Sequence, residues 1–109
     1  MFYVYVLYSK KDHKFYVDGT ETLKEEIDKH RAGKKPVTQK RLPLFLCYYE
    51  VYFNKKDAQA RVKFLKTGHG ERTLRNQLMG YLEIHDGFGK EKDFSSTIPP
   101  WWEEQGVAV

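Results

Sequence analysis

Phe2-Tyr3-Val4-Tyr5-Val6-Leu7-Tyr8, then Ser9-Lys10-Lys11-Asp12-His13-Lys14, then Phe15-Tyr16-Val17 is the stretch that decides the fold. The first run is aromatic and β-branched and reads as a buried strand, the polar run as a turn, and the third as a second strand. Together they predict a β-hairpin. Past Gly19, Thr22-Leu23-Lys24-Glu25 has the form of a capping box and opens a helix that runs to about residue 31 and stops near Gly33. Leu23, Glu26, Ile27 and His30 share one face of that helix by i, i+3, i+4, i+7 spacing, so ionisable groups are mixed into an inward stripe. Such mixing marks either the edge of the stripe or a site.

Residues 33–42 form a basic loop containing turn formers, and residues 43–53 supply the longest strand, expected to pair with the hairpin. Asn54 and Asp57 cap a second helix with the inward stripe Ala58, Arg61, Val62 and Leu65. Gly68-His69-Gly70 reads as a break before a third helix that buries Leu74, Leu78, Tyr81 and Leu82. The order is therefore β-β-α-β-α-α: an α/β (α+β) domain with a small three-stranded antiparallel sheet flanked by three helices. From Asp86 the pattern gives way to Gly, Pro, Ser and acidic residues, ending in Pro99-Pro100-Trp101-Trp102. The expected organisation is one domain over residues 1–85 and an acidic, Pro/Trp-containing tail over 86–109, tethered in part by its tryptophans.

A chain of 109 residues with 40% apolar and 16% aromatic content has one domain's worth of core and is not a disordered polymer. No stretch approaches the roughly 18 to 20 apolar residues of a membrane span, and the N-terminus lacks a charged segment ahead of an apolar one. The expectation is a soluble protein without a signal peptide. Cys47 is the single cysteine, which fits a cytoplasmic setting, and its apolar neighbours Leu46 and Tyr48 suggest a buried core position. Charge is unevenly spread. Residues 1–82 hold 17 Lys/Arg against 9 Asp/Glu, whereas 83–109 hold 2 against 6. A basic body favours polyanionic partners through phosphate contacts and counterion release.

The element order, together with a set of short motifs, resembles the GIY-YIG nuclease superfamily in its small stand-alone bacterial form. Tyr3-Val4-Tyr5 stands at the first motif, and Tyr16-Val17-Asp18-Gly19-Thr20 stands where those proteins carry Tyr-Ile-Gly-x-Thr. The segment 23–30 corresponds to their Leu-x-x-Arg-(Leu/Ile)-x-x-His, with His30 retained. Further matches are Gly33, Thr38, Arg41-Leu42-Pro43-Leu44, Tyr48-Tyr49-Glu50, Asp57-Ala58 and Phe64-Leu65-Lys66-Thr67-Gly68. The likeness covers about residues 1–82.

That resemblance implies a phosphodiester hydrolase in which a tyrosine assists proton transfer, an arginine supports the scissile phosphate and a glutamate holds one divalent cation, Mg²⁺ or Mn²⁺. The set meets a general need: an activated water, and positive charge beside the phosphorane. Carried over residue by residue, Tyr5, Tyr16 and His30 are present, but the arginine position holds Glu26, the metal-ligand glutamate position holds Val62, and the motif glycine is Asp18. A carboxylate in place of a guanidinium removes a bidentate donor and reverses the charge facing phosphate. An isopropyl group cannot ligate a hard cation. Val62 instead continues the apolar stripe of its helix, which relieves the desolvation a carboxylate would suffer there.

Three functions remain open on these residues. The first is a catalytically impaired or inactive domain that binds nucleic acid, expected to be DNA, through Lys34, Lys35, Thr38, Lys40, Arg41, Lys63 and Lys66, with no cofactor expected. The second is an active metal-dependent endonuclease with a relocated site built from Asp18, Glu26 and His30, a carboxylate and imidazole set suited to a divalent ion. The third is a protein-interaction module, with self-association through the tail or masking of the basic body by it.

Overall fold

The structure is a computed structural model in which residues 1–85 are described. The acidic tail over 86–109, its tryptophans and the self-association expected of it lie outside the described residues. The elements are β1 (Phe2–Ser9), β2 (Phe15–Thr20), α1 (Leu23–Arg31), a 3₁₀ turn (Gln39–Arg41), β3 (Leu44–Tyr52), α2 (Lys55–Leu65), α3 (Gly68–Gln77) and α4 (Met79–His85). The order is the expected one, and the fold is α+β. The predicted third helix is divided in two at Leu78. The division is one residue wide: Leu78 N–H still donates to Leu74 O and Leu82 N–H to Leu78 O, at 2.8 and 3.0 Å, so the hydrogen-bond run carries on across it.

The sheet is antiparallel throughout, with strand order β2-β1-β3. The central position of β1 explains its unbroken apolar run, since a strand paired on both edges and covered on both faces has no solvent side. Successive β1 side chains alternate between two cores. Tyr5 and Leu7 face α1 and pack with Ile27, Leu44, Phe45 and Leu46. Val4 and Val6 face α2 and α3 and pack with Val17, Ala58, Leu65 and Leu74. Opposite Val6 and Leu7 the register of β3 slips by one, leaving Cys47 between their partners. Cys47 packs against the second of these cores as its neighbours suggested, but is only partly buried there. Its thiol reaches Val6 O at 3.4 Å, and burial of the sulfur pushes its pKa up.

Local chemistry accounts for most helix ends. Asn54 Oδ1 accepts from Lys56 N–H and Asp57 N–H and caps α2 as expected. Gly33 takes a positive φ of 74° just past α1, where Gly33 N–H and Lys34 N–H close on His30 O and Lys29 O, a glycine-ended C-terminus. The capping box is not formed. Thr22 caps α1 without a side-chain bond, because its hydroxyl is 3.3 Å from that of Thr20, which itself accepts from Thr22 N–H. Gly70 is not a helix breaker but a point of contact: a Cβ there would lie 2.6 Å from Leu65 Cα, so only glycine lets α3 start against the end of α2.

Candidate functional site

Antiparallel register puts Tyr5 directly across from Asp18, with Tyr16 two residues along β2 on the same face. The helix α1 lies on this face and brings Ile27 and His30 down onto it. The tyrosine and histidine rings therefore converge. Tyr5 Oη is 2.9 Å from His30 Nε2, and the Tyr16 and His30 ring centroids are 5.2 Å apart. The other imidazole nitrogen, Nδ1, is 2.7 Å from Thr38 Oγ1. His30 is fully buried with both nitrogens engaged, and burial lowers its pKa. Lys35 adds to that lowering, and Glu26 and Asp18 oppose it.

The tyrosines are held as neutral phenols. Burial raises Tyr5 far above the ordinary phenol value, and the negative charges of Asp18 and Glu26 raise it further. Tyr16 is pushed up to about 12, first by burial and then by the bond it donates to Asp18 Oδ2 at 2.9 Å. Asp18 Oδ1 accepts from Gly19 N–H at 2.8 Å. Glu26 faces the same centre but is committed to a cation of the chain itself: its Oε2 lies 2.9 Å from Lys35 Nζ.

Val62 approaches from the opposite helical layer, around the β2 edge. Its Cγ2 sits against Gly19, and with Asp18, Phe2, Ala58 and Gln59 it lines an open cleft of about 360 Å³. A divalent ion does not fit this donor set. At the α2 position where the resemblance calls for a carboxylate, the chain offers an isopropyl group, which has no lone pair for a hard cation. The relocated metal site of Asp18, Glu26 and His30 is likewise not assembled. Among the described residues no three His, Cys, Asp or Glu side chains are placed to hold a metal ion. Each of the three is already satisfied: His30 by Tyr5 and Thr38, Asp18 by Tyr16 and Gly19, Glu26 by Lys35.

The basic residues expected to meet nucleic acid separate into groups. Lys34 and Lys40 are exposed on the 33–42 loop, Lys63 is exposed on α2 and Lys66 at its C-terminal cap. Lys66 Nζ also stands 6.0 Å from the Tyr16 ring centroid, next to the aromatic centre. Thr38 does not belong with them. It is fully buried and serves His30. Arg41 is tied down as well, with Nε and Nη2 on the Asp12 carboxylate and Nη2 on Lys14 O and Phe15 O, so it joins the loop to the hairpin.

One network escaped the sequence reading. Glu50 accepts from Tyr48 Oη and Tyr52 Oη at 2.6 and 2.7 Å, and from Arg61 through Nε and Nη2. Tyr48, Glu50 and Tyr52 fall on one strand face at period two, the signal that could have grouped them; nothing in the sequence paired Arg61 with them. No membrane helix accompanies this arrangement: among the described residues none is long and apolar enough to cross a bilayer.

Residues 1–76 match the GIY-YIG catalytic domain. The chain is also 36% identical over 91 residues to the UPF0213 proteins of Streptococcus pyogenes serotype M5 (strain Manfredo) and serotype M2 (strain MGAS10270), covering 83% of this chain and 90% of each relative. The UPF0213 protein of the serotype M3 strain SSI-1 matches to the same extent. No solved structure matches the chain.

Proposed function

Given that this chain belongs to the GIY-YIG family, we propose that it is a nuclease-type domain that binds nucleic acid and has lost the chemistry of phosphodiester cleavage. The observation that carries this reading is the Glu26–Lys35 ion pair. At the position where the resemblance calls for a phosphate-supporting arginine, the chain presents a carboxylate, and that carboxylate is occupied by an internal ammonium. Val62 removes the oxygen ligand for a cation, and Asp18 adds negative charge beside Tyr5 and Tyr16. Loss of one transition-state donor alone costs about 10²–10³ in rate. The two tyrosines and His30 remain, but neutral and hydrogen-bonded to protein, they supply proton positions without a cation to stabilise the phosphorane.

Binding is supported by Lys34, Lys40, Lys63 and Lys66, all exposed, with Lys66 beside the aromatic centre. The partner proposed is nucleic acid, DNA first, in a cytoplasmic setting and without a resident metal. Fluorescence anisotropy of single-stranded and duplex oligonucleotides between 50 and 200 mM salt tests it. Affinity is expected to fall steeply, with a slope of about −0.9 per duplex phosphate contacted. A flat salt dependence, or no binding at 50 mM, contradicts the reading.

A further inference from the structure

We infer that Lys35 is the cation that receives a backbone phosphate at this site, and that Glu26 is the internal carboxylate holding that position until a phosphate displaces it. The inference rests on the nucleic-acid-binding reading above and gives Lys35, one of the basic residues expected from the sequence, a specific role in it. Its first support is placement. Lys35 is not a free loop lysine: its carbonyl accepts from Thr38 N–H and Gln39 N–H at 3.1 and 2.9 Å, and Thr38 in turn is anchored on buried His30. The glycine turn at Gly33 fixes the other end of this short loop to α1. The ammonium is thus delivered to a set position against Glu26, one helical turn before His30.

The second support is the state of the pair. Lys35 and Glu26 side chains are 32% and 19% exposed, so the ammonium is partly desolvated and still reachable from solvent. By contrast, the Lys24–Asp28 pair on the same helix is 59% and 38% exposed and makes an ordinary surface contact. A phosphate oxygen and a carboxylate oxygen make equivalent charge-assisted bonds to an ammonium, so Glu26 occupies Lys35 in the manner a phosphate would. Lys35 thus places a cation from the loop beside the α1 position where the resemblance implies an arginine.

Anisotropy titrations of one duplex oligonucleotide across salt decide the matter, using the full chain and its variants with thermal melting as the folding check. Lys35→Gln is expected to weaken binding and lower the magnitude of the salt slope by about 0.9, the share of one duplex phosphate. Lys35→Arg is expected to keep both. Glu26→Gln removes the competitor and is expected to tighten binding about three- to fivefold, the size of a partly exposed ion pair. Lys24→Gln, which also breaks an ion pair, is expected to leave the slope unchanged. If the native chain binds but Lys35→Gln keeps the full slope, matches Lys24→Gln, or Glu26→Gln weakens binding, this inference is wrong while the binding reading stands. If the native chain does not bind at low salt, both are overturned.

Discussion

Val62 and His30 show, one residue at a time, what holds this site in order: the first packs in an apolar cluster, the second is hydrogen-bonded at both nitrogens. Val62 is half-buried and packs with the apolar cluster beneath α2. A carboxylate there would give up apolar packing and be partly desolvated, so Val62→Glu is expected to lower stability by about 1–2 kcal/mol in urea unfolding. An unchanged or higher midpoint would mean that the valine brings no packing advantage. His30 makes a prediction about pH. Its folded-state pKa is depressed by burial from the ordinary 6.5, so near and below that pH the unfolded chain binds the proton more readily. The stability it contributes is complete above about pH 6.5 and falls away as pH drops through the depressed folded value. Asp12 and Glu50, whose carboxyls are lowered in the folded state despite burial by bonds from Arg41 and Arg61, act in a separate and more acidic window. Unfolding midpoints at pH 7.5 and 5.5 should therefore drop for the native chain and drop less for His30→Gln; equal drops would remove His30 as the cause.

Helices and strands were legible where their signals were local and opaque where they depended on distant chain. The hairpin, the Asn54 cap and the glycine end of α1 are each written within a few neighbouring residues, and each is found in the structure. The Thr22 capping box failed because a competing hydroxyl, Thr20, lies two residues away and meets it first. Gly70 was misread for a different reason: its importance lies in the approach of α3 to Phe64 and Leu65, which no local pattern encodes. The same holds at the candidate site. Tyr5, Tyr16 and His30 were grouped by resemblance and do meet, but the partners that settle their chemistry, Thr38 and Lys35, sit on a loop whose path the sequence does not reveal. Gly70 and Gly80 provide a matched test. Alanine ordinarily favours a helix over glycine by about 1 kcal/mol, and none of the described residues crowds Gly80, so Gly80→Ala is expected to stabilise or be neutral. Gly70→Ala must push α3 from α2 and is expected to cost about 3 kcal/mol, at the upper end of overpacking. Similar melting temperatures for the two variants would contradict the close approach.

Across the whole molecule, the fold holds a three-residue aromatic and imidazole centre between β1, β2 and α1, and surrounds it with charges of both signs in place of the single arginine and glutamate that hydrolysis would use. Several lysines are exposed on the flanking loop and along α2, whereas Arg41 and Arg61 join elements. Binding and cleavage are thereby separable properties of one scaffold, which follows from a general rule: phosphate contacts need only positive charge in reach, while catalysis needs it fixed at the developing charge. On the proposed reading, three positions, Asp18, Glu26 and Val62, and not the fold, are what separates this chain from a cleaving one. The most direct measurement is plasmid nicking in Mg²⁺ and in Mn²⁺ by the native chain and by the triple variant Asp18→Gly, Glu26→Arg, Val62→Glu, with folding of both verified by circular dichroism. The account predicts no metal-dependent nicking by the native chain and measurable nicking by the folded triple variant; metal-dependent nicking by the native chain that Tyr5→Phe abolishes would contradict it.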